Sequence, residues 1–311
     1  MTVLAVPPDT PQAGAVGAGA PIPPPQRRRE RAGIGAHLVI IVLAILWMIP
    51  LVWTLYTSLR PESDTNKYGY FSLAHSLTLR NYSDAWSQGQ LAHFFWNSIK
   101  ITVPAVIITL FFASCVAFVV SRFSNRLNLI MLLLFTAGNL LPQQVLLSPL
   151  FKIFINVHVP NFISDSGELY DSTFGLVVIN VAFQTGFCVF VLSNFMRTIP
   201  EEITEAALVD GASIWTQYWR ITLPLCRPAL AALATLLTTW IYNDFFWALT
   251  LMSTGSKLPI TSAIKNLAGE FAQNNNLLAA GALIIAVPTL IVYVALQRQF
   301  IAGLTLGSTK G

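Results

Sequence analysis

The stretch FGLVVINVAFQTGFCVFVLSNF, residues 174–195, decides the fold class because it runs for 22 residues without a charged side chain. A helix that spans a membrane needs about 20 mainly apolar residues. Inside hydrocarbon, every backbone N–H and C=O must find its partner within the segment, which favours a helix. The stretch therefore predicts a membrane-spanning helix.

Five other apolar stretches have similar lengths. They occupy residues 38–56, 101–120, 127–151, 229–252 and 277–296. Among all six stretches the only formal charge is Asp244. The whole chain is 54% hydrophobic and 10% charged, whereas an ordinary soluble domain carries about 25% charged residues. We therefore expect an all-α membrane protein with six transmembrane helices, and the composition argues against a soluble enzyme or a disordered chain.

The N-terminal residues 1–32 have a different character, rich in Pro, Gly and Ala and ending in a cluster of four arginines. Such a composition cannot bury enough apolar surface to order itself, so it predicts a flexible cytoplasmic tail. No small-residue cleavage site follows the first apolar stretch, which predicts an uncleaved first helix instead of a signal peptide. Residues 33–311 are then expected to form one six-helix domain.

The positions of Lys and Arg predict the orientation. With the N-terminus in the cytoplasm, eleven of the 18 Lys and Arg residues fall on the cytoplasmic side and seven on the outer side. Cytoplasmic loops of membrane proteins carry such an excess. We therefore expect a multi-pass protein of the plasma (inner) membrane with both termini in the cytoplasm. Its largest cytoplasmic loop would be residues 196–228, between the fourth and fifth helices.

The loop 196–228 predicts two short helices joined by a tight turn. Thr198 and Glu201 have the spacing of a capping box at the start of the first helix. Gly211 can take the left-handed conformation that ends a helix, and Ser213 can cap the next one. The apolar side chains of the loop would either anchor in a partner protein or lie on the membrane surface, and local physics leaves both possibilities open.

The loop resembles the EAA loop of ABC importer permeases. The resemblance is carried by Glu-Ala-Ala at 205–207, glycine at 211, and Ile-x-Leu-Pro at 221–224. In that family the loop forms a coupling helix that sits in a cleft of the ATPase. The resemblance therefore implies a set of ATPase-coupling residues, which are Glu205, Ala206, Ala207, Asp210, Gly211, Ile221, Leu223 and Pro224.

The similarity extends over residues from about 35 to 311, to the downstream permease subunit of maltose-type carbohydrate importers. The similar stretches are LRNY at 79–82, NS at 97–98, LPQQ at 141–144, YNDF at 242–245 (with Tyr in place of the family's Trp) and GLTLGSTKG at 303–311. The resemblance implies a non-catalytic subunit that forms a solute pathway with a second permease subunit. It also implies a sugar or oligosaccharide delivered by an extracytoplasmic binding protein, and a separate ATPase dimer that holds ATP and Mg²⁺.

Polar residues inside the predicted helices are candidates for the solute pathway. They are Asn139, Gln143, Asn180, Gln184, Asn243 and Asp244. Polar groups in a membrane helix face a partner helix or a watery cavity. Contact between helices, or with the second permease subunit, is the favoured explanation for any single one of them. Asp244 is the strongest functional candidate because a charge inside the membrane is costly.

Several kinds of chemistry have no support in the sequence. It contains no G-x-x-x-x-G-K-[ST] phosphate loop, so we expect ATP hydrolysis on a partner chain. Its four histidines and three cysteines lack metal-ligand spacing, so no metal or cofactor is expected here. The acidic, tethered first helix of the loop argues against nucleic-acid binding.

Three alternatives to sugar import remain open. The same architecture could import a non-sugar solute, such as a glycerol phosphodiester or a polyol. The chain could instead be a self-contained ion- or proton-coupled transporter, although such a relay would need more than one intramembrane acid. It could also be a membrane enzyme acting on lipid-linked sugars. No motif specifies the solute, the partner subunit, or whether the ATPase is dedicated or shared.

Overall fold

A computed structural model describes residues 34–123, 126–267 and 274–305. Within these ranges the chain is helical and has no strand, apart from one isolated bridge between His158 and Glu168. The predicted flexible tail with its arginine cluster, and residues 306–311 of the similar C-terminal stretch, lie outside the described residues. The chain divides into two units, Met1–Ile49 and Pro50–Gly311.

The described part of the first unit belongs to helix α1 (Ile34–Ser58), which continues into the second unit. The first half of the second unit also contains α2 (Glu62–Tyr68), α3 (Arg80–Gln88), α4 (Leu91–Arg122), α5 (Arg126–Leu140), α6 (Leu147–Asn156) and α7 (Thr173–Met196). Its second half contains α8 (Glu201–Val209), α9 (Ile214–Thr216), α10 (Leu223–Leu225), α11 (Arg227–Tyr242), α12 (Phe246–Leu251), α13 (Ile260–Ala263) and α14 (Asn275–Thr305).

Four helices of the described chain are long and apolar enough to cross a membrane by themselves. They are Gly35–Ser58, Leu91–Arg122, Thr173–Met196 and Asn275–Gln297. Two bent pairs also qualify if each pair is counted as one span: Ile130–Asn139 with Gln143–Asn156, bent by 94°, and Ile214–Leu225 with Arg227–Tyr242, bent by 70°. The described residues thus hold four to six candidate spans, and the predicted six requires both bent pairs to cross.

The predicted helix at 127–151 is not continuous, which corrects the sequence analysis. The chain leaves α5 after Leu140, and Pro142 takes an extended conformation before a short 3-10 turn, Gln143–Leu146, leads into α6. Proline lacks the N–H needed by a helix and disfavours the helical conformation in the residue before it. The proline therefore breaks the predicted span into two helices.

The predicted helix at 229–252 is also interrupted, at residues 243–245 between α11 and α12. No proline lies there. Instead, the Asn243 side chain donates to the carbonyl of Thr239 (2.8 Å), and an Asp244 carboxylate oxygen accepts the N–H of Trp247 (3.2 Å). Short polar side chains that bond the backbone compete with the helical pattern. They also satisfy the backbone groups that an interruption would leave unpaired among apolar side chains.

The core of the second unit lies between α4 and α7. Small residues of α4, including Ala105, Ala113 and Ala117, are fully buried with Val189 and Leu192 of α7 in one apolar cluster. Small side chains allow helices in a membrane to approach closely. The three cysteines are free, and Cys188 and Cys226 are buried in this cluster.

The Asp171 side chain joins the segment before α7 to the segment after α12 through hydrogen bonds. Its carboxylate accepts the N–H groups of Ser253 (2.9 Å) and Thr254 (2.8 Å) and the Thr254 hydroxyl (2.6 Å). Burial alone would raise the pKa of Asp171, but the hydrogen bonds from Thr254 and Ser253 and the charge of Lys257 outweigh it and hold the pKa below its usual value. These hydrogen bonds thereby fix the position of α12 at its C-terminal end.

Candidate coupling loop and polar cavity

The loop 196–228 folds as two helical arms around a left-handed turn. After α8, Gly211 takes a φ of +74°. The N–H of Gly211 donates to Leu208 O (3.0 Å), and the N–H of Ala212 donates to Ala207 O (2.9 Å). This is the helix-ending turn that the sequence predicted at Gly211.

The second arm begins with the predicted cap. The Ser213 hydroxyl accepts the N–H of Thr216 (3.3 Å) at the start of α9. A π-helical turn, Gln217–Thr222, then joins α9 to α10, and the chain bends by 70° before α11. The second arm and α11 are therefore two helical segments that meet at a bend at Cys226.

The predicted capping box at Thr198 and Glu201 is wrong. The Thr198 hydroxyl donates to Phe195 O (2.7 Å), and α8 starts after Pro200 without a side-chain cap. Phe195 O belongs to the last turn of α7, whose carbonyls lack partners within the helix. The threonine therefore satisfies the end of the preceding helix and is not available to the next one.

The coupling residues implied by the resemblance fall into two groups in the structure. Around the turn, Ala207 is buried and the others are exposed. The other group is partly buried along the π-helical turn and α10, and its members are Ile221, Leu223 and Pro224. Between the two groups the loop exposes large apolar side chains, with Trp215 70% exposed. Contiguous exposed apolar surface is typical of a docking or membrane-contacting site.

A polar cavity of about 520 Å³ is the second candidate site. It is lined by side chains from the turn before α6, from α7, and from the α11–α12 junction, which are Gln143, Asn180, Gln184, Thr239, Trp240, Asn243, Asp244 and Trp247. Five of the six polar residues proposed for the pathway from the sequence therefore line one cavity. Sequence analysis missed Thr239, Trp240 and Trp247, although the first two lie one helical turn before Asn243 and so share its face.

Asp244 has partners on two helices. Its carboxylate accepts from Asn180 Nδ2 of α7 (3.3 Å) and from the N–H of Trp247 in α12 (3.2 Å). Asn180 also donates to Leu176 O within its own helix (2.9 Å). Asp244 therefore positions α12 against α7, in addition to facing the cavity.

Asn139 does not line this cavity. It faces a second, mainly apolar cavity of about 440 Å³, together with Gly138, Leu141 and Phe183. With its amide oriented to satisfy hydrogen bonding, its nitrogen donates to Phe183 O of α7 at 3.1 Å. The contact joins α5 to α7, which is the interhelical explanation that the sequence analysis favoured for any single polar residue.

The described residues contain no group of three or more His, Cys, Asp or Glu side chains that could hold a metal ion. The side chains named above offer hydrogen-bond donors, hydrogen-bond acceptors and apolar surface.

The sequence of residues 110–304 matches the family described as binding-protein-dependent transport system inner membrane component. The chain belongs to this family. Its membership confirms the resemblance to an ABC importer permease, and the chain is a multi-pass transmembrane subunit of such a transport system.

The names of two similar proteins mention different solutes. The chain is 30% identical over 265 residues to the melibiose/raffinose/stachyose import permease protein MelC of Bacillus subtilis, covering 85% of this chain and 91% of that protein. It is 28% identical over 281 residues to the osmoprotective compounds uptake permease protein GgtD of Synechocystis, covering 88% of this chain and 91% of that protein.

This chain shares its fold with a chain of a solved structure. A chain of a bacterial ABC transporter involved in the import of the acidic polysaccharide alginate matches with a TM-score of 0.68 and 21% identity. The match covers 86% of this chain and 96% of that one. At this level of identity the likeness shows the fold.

Proposed function

We propose that this chain forms, with a second permease subunit, the membrane pathway of an ATP-driven importer for a sugar or oligosaccharide. The observation that carries the proposal is the two-armed loop around Gly211, in a chain whose family consists of binding-protein-dependent transport components. The cargo is supported by the name of MelC, a relative that imports oligosaccharides. The solute would arrive on an extracytoplasmic binding protein.

In this proposal each bent pair contributes one span, the second through α11 and the following α12. This gives six spans, with the termini and the loop 196–228 in the cytoplasm. The exposed apolar side chains of the loop would anchor in a groove of a separate ATPase, which is a recognised mode of helix binding. The ATPase dimer would hold ATP and Mg²⁺. Closure of the ATPase dimer would pull on α8. The second arm of the loop, from α9 to α10, would pass the movement to α11.

The polar cavity would form one wall of the pathway. Amides donate to and accept from sugar hydroxyls, and a carboxylate accepts from them. The flat face of Trp240, which is 43% exposed, offers apolar surface to a sugar ring. Sites of this kind combine an apolar lining with a few polar groups that fix orientation. The second permease subunit would supply the facing wall.

A second cargo has a specific observation in its favour. GgtD, a relative of nearly the same identity, takes up osmoprotective compounds. A polyol or another small hydroxylated solute would make the same hydrogen bonds with the cavity amides. Competition for uptake between labelled oligosaccharides and polyols would distinguish the two cargoes.

The proposal is tested by purifying the tagged chain from its native membrane in mild detergent and identifying what accompanies it by mass spectrometry. We expect an ATPase and a second permease subunit. A chain with Trp215→Ala and Trp219→Ala, which removes two apolar anchors of the loop, is expected to lose the ATPase and keep the second permease. Recovery of the folded chain alone would overturn the proposal and favour a self-contained transporter or membrane enzyme.

Asp244→Ala is expected to lower the uptake rate about tenfold while leaving the subunits assembled, since it removes a charge-assisted hydrogen-bond acceptor from the cavity. Asp244→Asn keeps an oxygen for the N–H of Trp247 and is expected to lose less. Asp165→Ala is the control, because the Asp165 side chain is 87% exposed. Initial rates in proteoliposomes provide the measurement, and unchanged uptake by Asp244→Ala would remove this residue from the pathway.

A further inference from the structure

The inner face of the loop bounds a cavity of about 420 Å³ between α8 and the end of α4. On the loop side, α8 contributes residues at positions 201, 204, 205 and 208, which form one face of a helix. On the other side, the last turns of α4 contribute Phe118, Ser121 and Arg122. The cavity therefore separates the proposed coupling helix from a helix of the core.

Arg122, a partly buried residue, places its guanidinium at this cavity. Its Nε and Nη2 atoms are buried and lack a hydrogen-bond partner among the described residues. None of the ion pairs in the described part of the chain involves it. A guanidinium keeps its charge under all ordinary conditions, and buried donors of a charged group are costly when they lack a partner. A conformation that brings a carboxylate to Arg122 would therefore be favoured.

Glu201 and Glu205 are the two carboxylates that line the cavity, and Glu201 is the nearer of the two, along the chain, to the contact between α4 and α7. The ends of α4 and α7 touch, since the Ser121 hydroxyl donates to Met196 Sδ (3.8 Å), and Glu201 follows Met196 by only five residues. Glu205 lies a further turn along α8, toward the tip at Gly211. Both acids face the cavity, but Glu201 begins the helix at its attached end.

The packing of α8 leaves it free to tilt. Ala207 is the only buried residue in this helix, and few buried contacts mean a low local stability. Pro200 and the left-handed Gly211 stand at its two ends. A small rotation about these ends would narrow the cavity without disturbing the α4–α7 core.

We propose that Arg122 and Glu201 form an ion pair when this cavity closes, and that the pair transmits the movement of the loop to α4. The inference rests on the proposed function of the loop. Arg122 is a positioning residue in this scheme, since it lines the loop cavity and not the polar cavity. A role limited to placing a positive charge at the C-terminal end of α4, where the helix dipole favours one, is the competing explanation.

The test is a double-mutant cycle in the complete importer, reconstituted with its ATPase, second permease and binding protein. The variants are Arg122→Gln, Glu201→Gln and the two combined, and the readout is solute imported per ATP hydrolysed. We expect each single change to lower this ratio about tenfold, and the double variant to be no worse than either single one, because paired residues are not additive. Additive losses would overturn the pairing.

Two matched controls separate the pair from general effects of charge. Glu202→Gln changes the acid next to Glu201, and Arg220→Gln changes an exposed arginine of the same loop; neither residue lines the cavity. Both are expected to stay within twofold of the wild type. Arg122→Lys keeps the charge and is expected to recover part of the ratio, which a folding defect in Arg122→Gln would not explain. Single variants that behave like the controls would overturn the inference.

A second measurement follows the distance between residues 122 and 201. Arg122→Cys and Glu201→Cys, combined in a chain whose three native cysteines are replaced, are expected to form a disulfide several-fold faster in the ATP-bound complex than in the nucleotide-free one. Equal rates in both states would overturn a nucleotide-dependent pair. Failure of the wild-type chain to retain an ATPase would overturn the proposed function itself, whereas failure of the pair alone leaves ATPase retention intact in every variant.

Discussion

Gly211→Val is expected to lower ATP-driven uptake more than tenfold while the chain still inserts into the membrane. Gly211 has a φ of +74°, and a β-branched residue held in that region carries a strain of about 1–3 kcal/mol. Relief of the strain would open the turn and break the bond from the N–H of Ala212 to Ala207 O. The relative direction of the two arms would be lost. The measurement is uptake in proteoliposomes together with the amount of inserted protein.

Two substitutions at the same position serve as controls. A Cβ at Gly211 would meet no atom within 4 Å, so the loss in Gly211→Val arises from the backbone and not from crowding. Asn tolerates the left-handed conformation better than other residues with a side chain, so uptake should fall in the order Gly, Asn, Ala, Val. Full uptake by the valine variant would show that the turn has no part in coupling.

The long helices could be predicted from the sequence because lipid-facing and buried surfaces are both apolar, so the runs are uninterrupted. The residues at which these helices begin and end were less predictable. Helix α4 begins at Leu91, ten residues before the predicted start at 101. The added turns bury Leu91 and Phe94 against Ile260 and Tyr242. These contacts are made with residues far along the chain, which no local pattern reveals.

The two interruptions show what a local signal can and cannot give. Pro142 is a signal in the sequence itself, since a proline inside a helix removes a backbone hydrogen bond. The signal is not sufficient, because Pro50, Pro104 and Pro288 lie inside the continuous helices α1, α4 and α14. The break at 243–245 has only Asn243 and Asp244 as a signal, and such a polar pair also occurs in continuous helices. Its physical cause is the set of side chain to backbone bonds to Thr239 and Trp247, which requires the folded chain.

The polar cavity was predictable in part. Asn180 and Gln184 are four residues apart, so a common helix face follows from the helical period. Their meeting with Asn243 and Asp244 depends on how α7 and α11 lie against each other, which the period does not specify. Asn139 and Gln143 are also four apart, yet the bend at Pro142 sends them to different cavities.

The sequence also does not reveal the burial of charged side chains, as Arg60 and Arg122 show. In the sequence both read only as positive residues near the ends of apolar runs, useful for orientation. In the structure Arg60 is 1% exposed and Arg122 has two buried nitrogens. A cation beside an apolar run is usually solvated, so only the tertiary structure shows that Arg60 is buried and that Arg122 is partly buried.

Arg60→Ala is expected to lower the melting temperature of the chain in detergent by about 10 °C, because removing one member of a buried ion pair leaves the other without a partner. Its guanidinium donates to Asp64 Oδ2 from Nη2 (2.7 Å) and from Nε (3.0 Å). Its Nη1 donates to the carbonyls of Gly69 (3.3 Å), Tyr70 (3.2 Å) and Ser72 (3.1 Å). One side chain thus organises the whole segment between α1 and α3.

Arg80→Ala is the matched control, since the Arg80 side chain is 82% exposed and its Nε lies 3.4 Å from Asp84 Oδ2. Exposed pairs contribute little, so a change of about 2 °C or less is expected. A melting temperature of Arg60→Ala equal to that of Arg80→Ala would contradict the role assigned to Arg60.

Acidification provides an independent test of the same pair. The hydrogen bond from Arg60 holds the pKa of Asp64 below its usual 3.8, against the opposing effect of burial. Because the folded pKa is the lower one, the pair adds stability above the unfolded pKa and loses it as the pH falls through the folded value. The difference in melting temperature between pH 7 and pH 3 should therefore shrink in Arg60→Ala and persist in Arg80→Ala. An unchanged difference in Arg60→Ala would place the acid-sensitive interaction elsewhere in the chain.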